Sequence, residues 1–344
     1  MSSTTEYAIS LASVLAAAEQ INGLAHRTPV LTCHALDKIA TGDNWPSKRL
    51  FFKCENFQKV GAFKYRGALN AVKNFLLDET EKVTDLKDTT FVTHSSGNHA
   101  QALSLAAKDA NCKAIIVMPE NSPSVKQSAV RGYGADIILC EPTNEARSRT
   151  ANDVVKATGA HFVHPSNDSD VMSGQGTIAL ELLDQAKQEY GVELDAIVVP
   201  IGGAGLCSGI AMAAKSLQPS IKIFAVEPDG AADAYNSFQK RELIGHTSPV
   251  KTVADGLRTV LGSNNWPIVR DFVDEIVLVS DDEIIMAMKL IWERMKLVVE
   301  PSGAVATAAV LMHKLPPDII NVGIVLSGGN VDLEKLPWLT NKLA

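Results

Sequence analysis

The stretch Phe91-Val92-Thr93-His94-Ser95-Ser96-Gly97-Asn98-His99-Ala100-Gln101-Ala102-Leu103 changes structural rhythm partway along. Phe91 to Thr93 is a short run of branched and aromatic residues, which suit a pleated strand. Ser95 to Asn98 is turn chemistry. The alanines and leucines that follow are good helix formers. The pattern then repeats: Ala114 to Met118 reads as a second strand, followed by a helix carrying Val125 and Val130. Ile137 to Leu139 is a third strand, Arg147 to Thr158 a helix, and His161 to Val163 a fourth strand. Four strand–helix alternations predict a parallel sheet covered by helices.

Working outward, Leu11, Val14, Leu15 and Ala18 recur at helical spacing near the start. Arg27 to Val30 holds a Thr-Pro pair that favours extended backbone. On the other side a second series begins. Thr177 to Tyr190 is helical, Ala196 to Val199 a strand, and a glycine-rich turn leads to a helix from Leu206. Ile221 to Val226, Glu275 to Val279 and Val322 to Leu326 are strands. A long helical stretch from about Asp282 must break around Glu300-Pro301-Ser302-Gly303, because proline cannot continue a helix. With 344 residues the chain exceeds one core of usual size. Two α/β domains are expected, one inserted in the other: a small mobile domain over 90–167, and a large one from 1–89 plus 168–344.

A net charge of −7 argues against a nucleic-acid surface. Cys33, Cys54, Cys112, Cys140 and Cys207 are odd in number and dispersed, which reads as reduced thiols. Met1 to Tyr7 lacks the order of a signal peptide, and no apolar run reaches the roughly 18 residues of a membrane span. A soluble, cytoplasmic protein without nucleic-acid or membrane partners is expected.

Three segments carry chemistry. Gly202-Gly203-Ala204-Gly205 lies between a strand and a helix; it is either a phosphate cradle or only a tight turn. The glycine spacing departs from that of a nicotinamide-binding turn, because Gly209 falls one residue late. Glu227 nonetheless lies where a ribose-binding acid would, so a dehydrogenase stays open. Lys64, among small and aromatic residues, is either a desolvated amine nucleophile or an ordinary solvated lysine. Ser327-Gly328-Gly329-Asn330 follows the last strand and suits either a ligand crevice or a turn.

Together these segments resemble a family. Lys53-x-Glu55-x-x-Gln58-x-x-Gly61-Ala62-Phe63-Lys64-x-Arg66-Gly67-Ala68 is similar to the attachment segment of fold-type II pyridoxal-phosphate (PLP) enzymes. Ser95-Ser96-Gly97-Asn98-His99 looks like their substrate loop, Gly202 to Gly205 their phosphate loop, and Ser327 to Asn330 their pyridine-nitrogen segment. The match covers nearly the whole chain and is nearest the serine racemase and serine/threonine dehydratase branch. It implies a two-domain, tryptophan synthase β-like fold and a homodimer.

The resemblance assigns roles. Lys64 would carry the cofactor and act as base on one face of Cα. Phe63 would pack on the pyridine ring, and Asn98 would bond the ring hydroxyl. Gly202, Gly203, Ala204, Gly205 and Leu206 would hold phosphate through backbone N–H groups. Ala204 replaces a glycine of several relatives, which is harmless if its φ is negative. Gly256 and Glu300 would also line the cofactor. Ser327 would face the pyridine nitrogen; a hydroxyl cannot hold that nitrogen protonated, so the electron sink is weak. That favours racemisation and β-elimination. Ser96 resembles the second acid/base of serine racemases, or merely binds substrate carboxylate. Ser95, Asn98 and His99 would orient that carboxylate, and His94 and His164 would be structural.

Glu227, the Ala231 carbonyl and Asp233 resemble a divalent-cation loop suited to Mg²⁺, Ca²⁺ or Mn²⁺. Gln101, Lys126, Tyr133 and Asn330 match positions that bind activating ATP in some relatives, although Val60 replaces a polar residue. Arg147 would reach the substrate side chain and could pair with a β-carboxylate, which leaves threo-3-hydroxyaspartate as an alternative substrate. Ser166 stands where asparagine is common. The implied reaction is serine racemisation with dehydration of serine or threonine to a 2-oxo acid and ammonia. A catalytically dead amino-acid-binding protein is the remaining rival, and the intact Lys64 argues against it. The chain ends soon after Asn330, so no C-terminal regulatory domain is expected.

Overall fold

The computed structural model describes residues 6–42, 47–78, 89–122 and 124–340. The first residues of the polar N-terminal stretch, 1–5, lie outside them, as does the side chain of Val125.

The described strands are β1 (Val30–Leu31), β2 (Arg49–Cys54), β3 (Thr90–His94), β4 (Lys113–Pro119), β5 (Asp136–Cys140), β6 (His161–Phe162), β7 (Ala196–Pro200), β8 (Lys222–Pro228), β9 (Glu275–Val279) and β10 (Asn321–Leu326). They form two sheets. One runs β5-β4-β3-β6 and is parallel throughout. The other runs β1-β2-β10-β7-β8-β9 and is parallel except for its antiparallel edge, β1 on β2. In the larger sheet β7 is buried at every position, as a strand covered on both faces must be. Its helices divide into two apolar layers. The helices Ser169–Tyr190 and Gly205–Leu217 lie on one side, and Asp281–Leu290 and Pro301–Leu311 on the other.

The helix Lys64–Asp78 joins the two sheets. Tyr65, Ala68, Leu69 and Val72 bury themselves with Phe91, Leu103 and Ile116 around the four-stranded sheet. On its other side, Gly67 meets the helix Ser169–Tyr190 so closely that an added Cβ would stand 2.6 Å from the Val171 carbonyl oxygen.

Two expectations need correction. The opening helix forms over Leu11–Ile21, but it buries Val14, Ala17 and Ile21 and leaves Leu15 exposed. The long stretch from Asp281 does not break at Pro301. It passes into a π-turn over Ile291–Met295 and ends at Lys296, which is left-handed. Pro301 then begins a new helix at its first turn, where its missing N–H costs nothing. Ser302 and Gly303 are therefore helical.

Candidate active site

In open α/β sheets ligands sit beyond the carboxyl ends of the strands. β2, β3, β7 and β10 each end on one of the segments singled out above.

β2 leads through two short 3-10 turns, Glu55–Phe57 and Lys59–Gly61, into the helix that begins at Lys64. This segment is stitched to the end of β10. Phe63 N donates to the Ser327 carbonyl at 3.1 Å, Gly329 N donates to that of Gly61 at 2.9 Å, and Ala62 bridges Gly328. Two residues beyond Lys64, the buried Arg66 binds Glu55 on one side and Glu181 on the other. Lys53 completes this buried quartet through Glu181, Gln185 and the Thr28 carbonyl. The Lys64 amine donates to the Pro165 carbonyl at 2.7 Å and stands 4.9 Å from the Phe63 ring centre. Burial lowers its pKa to about 8, so about a tenth of the amine is uncharged at pH 7, far more than for an exposed lysine.

Beyond β7, Gly202 to Gly205 lead into the helix Gly205–Leu217. A Cβ on Gly203 would lie 2.4 Å from Ser166 Oγ, and one on Gly205 2.7 Å from the Ser166 carbonyl oxygen. Glycine leaves the backbone bare here. Ser166 is 4% exposed, and its hydroxyl has no hydrogen-bond partner among the described residues. A bare helix N-terminus beside an orphan buried hydroxyl fits a phosphate. The condition placed on Ala204 fails: its φ is 68°, left-handed. The residue caps the helix from that conformation. Its N–H remains in the loop, so the consequence is backbone strain and no donor is lost.

Beyond β3, Asn98 donates through Nδ2 to Glu300 Oε1 at 2.7 Å, and its Oδ1 accepts from Asn330 Nδ2 at 2.9 Å. Burial, with the nearby charge of Asp255, raises Glu300 to about 8. Gly328 fits against this pair; its Cβ would stand 2.6 Å from Glu300 Oε1. Ser327 Oγ donates to the Ser302 carbonyl at 3.3 Å, and Ser302 Oγ accepts from Gly256 N at 3.0 Å. Ser302 was missed by the sequence reading. Its signal was the Pro301-Ser302-Gly303 run, which reads as a helix start once proline is allowed at the first turn.

The fourth wall carries imidazoles. His94 and His164 pack edge-to-face at 5.6 Å, and His99 is buried. His164 Nδ1 accepts from Ser166 N at 3.2 Å and Asn167 N at 2.8 Å, which places its proton on Nε2. Burial holds His164 down to about 4, and burial plus the Lys64 charge hold His99 well below its ordinary value. These rings are neutral beside the amine. Arg147 is close enough for its charge to act on His94. Ser95 and Ser96 are half-buried in the turn after β3, where Ser95 Oγ accepts from Gly97 N at 3.3 Å.

The contacts therefore link Phe63, Lys64, Asn98, Gly256, Glu300 and Ser327 beyond the ends of β2, β3 and β10, with the Gly202 to Leu206 loop joining them through Ser166. The expected nucleotide residues are engaged separately. Lys126 pairs with Asp255 at 2.6 Å, and Asn330 is held by Asn98 and the Val60 carbonyl. Gln101 lies on the helix Asn98–Asp109, and Tyr133 follows the helix Ser124–Gly132.

At the end of β8, Glu227 is fully buried; Oε1 accepts from Ala234 N at 3.0 Å and Oε2 from Tyr235 N at 2.8 Å. It thereby caps the helix Asp233–Lys240. Asp233 Oδ2 accepts from Leu261 N at 2.8 Å, whereas its Oδ1 is buried without a hydrogen-bond partner among the described residues. Burial raises both carboxyl groups, Glu227 to about 9. Ala231 is buried in the turn between them. Among the described residues no three His, Cys, Asp or Glu side chains form a metal cage alone. A cation here would need carbonyl or water oxygens, which suits the orphan Oδ1 and the buried carboxylate beside it.

The pattern of the pyridoxal-phosphate dependent enzymes matches residues 21–328. The chain belongs to this family. Mouse serine racemase is 46% identical over 337 residues, covering 97% of this chain and 95% of the mouse protein. The solved structure of maize serine racemase superposes with a TM-score of 0.87 at 43% identity, covering 98% of each chain. The processed form of threonine deaminase isoform 2 from Solanum lycopersicum superposes with a TM-score of 0.84 at 31% identity, covering 97% of this chain and 87% of the other. PLP is accordingly the cofactor of this family member, and the bare loop with its orphan hydroxyl fits the cofactor's phosphate. The nicotinamide alternative is set aside by the same match. No helix among the described residues is long and apolar enough to cross a membrane.

Proposed function

We propose that this PLP enzyme racemises serine and, in a competing branch, removes water from serine or threonine to give a 2-oxo acid and ammonia. The observation that carries the reading is the Lys64 amine, held at 2.7 Å from the Pro165 carbonyl and depressed by burial to about 8. Such an amine can take a proton from Cα near neutral pH and return it. The bound cofactor supplies the electron sink that makes that proton acidic.

The other residues divide the remaining work. Ser96 stands for the proton transfer on the opposite face of Cα. Ser95, Asn98 and His99 orient the substrate carboxylate. Ser327 presents a neutral donor to the ring nitrogen, and Glu300 steadies Asn98. The neutral imidazoles leave the amine without a competing cation. Gly202 to Leu206 and Ser166 bind phosphate. Glu227, Ala231 and Asp233 hold Mg²⁺, Ca²⁺ or Mn²⁺, while Gln101, Lys126, Tyr133 and Asn330 serve an activating ATP. The enzyme acts as a cytoplasmic homodimer whose 90–167 segment moves against 1–89 plus 168–344. Threo-3-hydroxyaspartate is the second substrate reading, favoured by the charge of Arg147 beside His94.

The test is purified protein supplied with PLP and L-serine, scored separately for D-serine and pyruvate. Wild type forms both products and Lys64→Ala neither. Protein that stays colourless with PLP, or a Lys64→Ala variant that keeps either activity, overturns the proposal.

A further inference from the structure

His164 directly precedes Pro165, whose carbonyl anchors the Lys64 amine, and Ser166 directly follows it. This short run therefore passes beside the amine. Two backbone donors fix the His164 ring. Its Nδ1 accepts from Ser166 N at 3.2 Å and from Asn167 N at 2.8 Å. With both N–H groups aimed at it, Nδ1 has no room for a proton of its own, so the ring proton sits on Nε2. Packing holds the ring plane. His164 meets His94 edge-to-face at 5.6 Å and Phe162 at 6.1 Å.

One polar edge of the ring is left over. Nε2–H has no hydrogen-bond partner among the described residues, and the side chain is only half-buried. Burial, His94 and the charge of Lys64 hold the ring neutral down to about pH 4. The same amine takes the proton from Cα, and the β-oxygen of serine or threonine lies one carbon further along. Groups beside the amine are therefore the groups that can meet that oxygen. The substrate carboxylate, an anion, falls to the Ser95 to His99 turn. A single neutral N–H suits a single neutral oxygen. A neutral imidazole also keeps its own proton, so it can hold the hydroxyl without protonating it.

We infer that His164 Nε2 donates a hydrogen bond to the β-hydroxyl of the bound substrate, which makes this ring a specificity-determining residue. The inference rests on the serine and threonine reading proposed above and names the group that reads their side chain.

The experiment uses the PLP-loaded enzyme and reads binding by rapid mixing, from the shift of the cofactor's visible band. The probes are L-serine and L-alanine, which differ by the β-oxygen alone. Wild type is expected to bind L-serine about tenfold or more tightly than L-alanine. In His164→Asn the new Oδ1 takes the place of Nδ1, so the loop keeps its acceptor and only the donor is lost. The preference is expected to fall to about twofold or less. In His164→Gln the new Nε2 takes the place of the ring's Nε2, so a donor remains while the loop loses its acceptor. Most of the preference is expected to survive. Each preference is a ratio within one protein, so a general weakening of binding cancels. An Asn variant that keeps the preference, a Gln variant that loses it, or a wild type that binds both probes equally overturns the inference. Loss of PLP affinity in His164→Asn with the ratio intact also overturns it, and assigns the donor to the cofactor's phosphate. Either variant decides if the other fails to fold. A wild type that prefers L-serine yet forms neither D-serine nor pyruvate sinks the proposed reaction and leaves this donor standing.

Discussion

Arg66 and Glu55 meet through two parallel bonds, Nε to Oε2 at 2.8 Å and Nη2 to Oε1 at 2.9 Å. Both side chains are fully buried, and Glu181 grips the same guanidinium from its other edge. Arg66→Ala leaves two carboxylates with reduced compensation in the interior. The expected loss is about 3–5 kcal/mol, read from the urea midpoint of the variant. Arg66→Lys should recover only part of it, because an ammonium cannot form both forks.

Lys64 should betray its burial by its pH response. In the cofactor-free protein, acylation of this amine is expected to rise with a midpoint near pH 8, followed by peptide mass spectrometry, whereas exposed lysines titrate far higher. The linkage sign follows from a folded pKa lowered below the unfolded one. Between about 8 and 10.5 the unfolded chain binds the extra proton, so stability of the cofactor-free protein rises with pH across that window. A midpoint near that of surface lysines would refute the burial argument.

Ala204 holds a left-handed φ of 68° at the phosphate loop. Relief of that conformation is worth about 1–2 kcal/mol, offset by about 0.5–1 kcal/mol for the freedom glycine has when unfolded. Ala204→Gly is therefore expected to gain about 0.5–1 kcal/mol in thermal or urea unfolding, with PLP affinity undiminished. Destabilisation by this change would contradict the assigned backbone.

Ser96→Ala separates the two reaction branches. Elimination needs the amine on one face of Cα only, whereas racemisation needs proton transfer on both. D-serine production is expected to fall by about 10²-fold or more, with pyruvate formation from L-serine far less affected. Equal loss of both products would remove Ser96 from that role.

The sheets were legible because strand and helix periods alternate cleanly between Thr90 and Phe162, and again from Ala196. The edge strand β1 is two residues long and carries no period of its own. Pro301 misled because proline stops a helix and also starts one; only the left-handed Lys296 upstream shows which. Within the cleft, the glycines and Lys64 were visible as motifs. The bonds from Asn98 to Glu300 and from Gly256 to Ser302 were not. Each joins residues far apart in sequence, and no local spacing announces such a pair. The Ala204 backbone could only be left conditional, for a related reason. Alanine is an excellent helix former, and the demand for a left-handed cap comes from the turn around it.

The charged quartet of Lys53, Glu55, Arg66 and Glu181 also dictates an order of events during synthesis. Its second carboxylate lies more than a hundred residues after Arg66, on the helix Ser169–Tyr190. A nascent chain that has emerged only through the four-stranded sheet holds that guanidinium with Glu55 alone. The helix that begins at Lys64 gains its second ionic partner, Glu181, only once Ser169–Tyr190 docks, so its final charge balance is set late in synthesis.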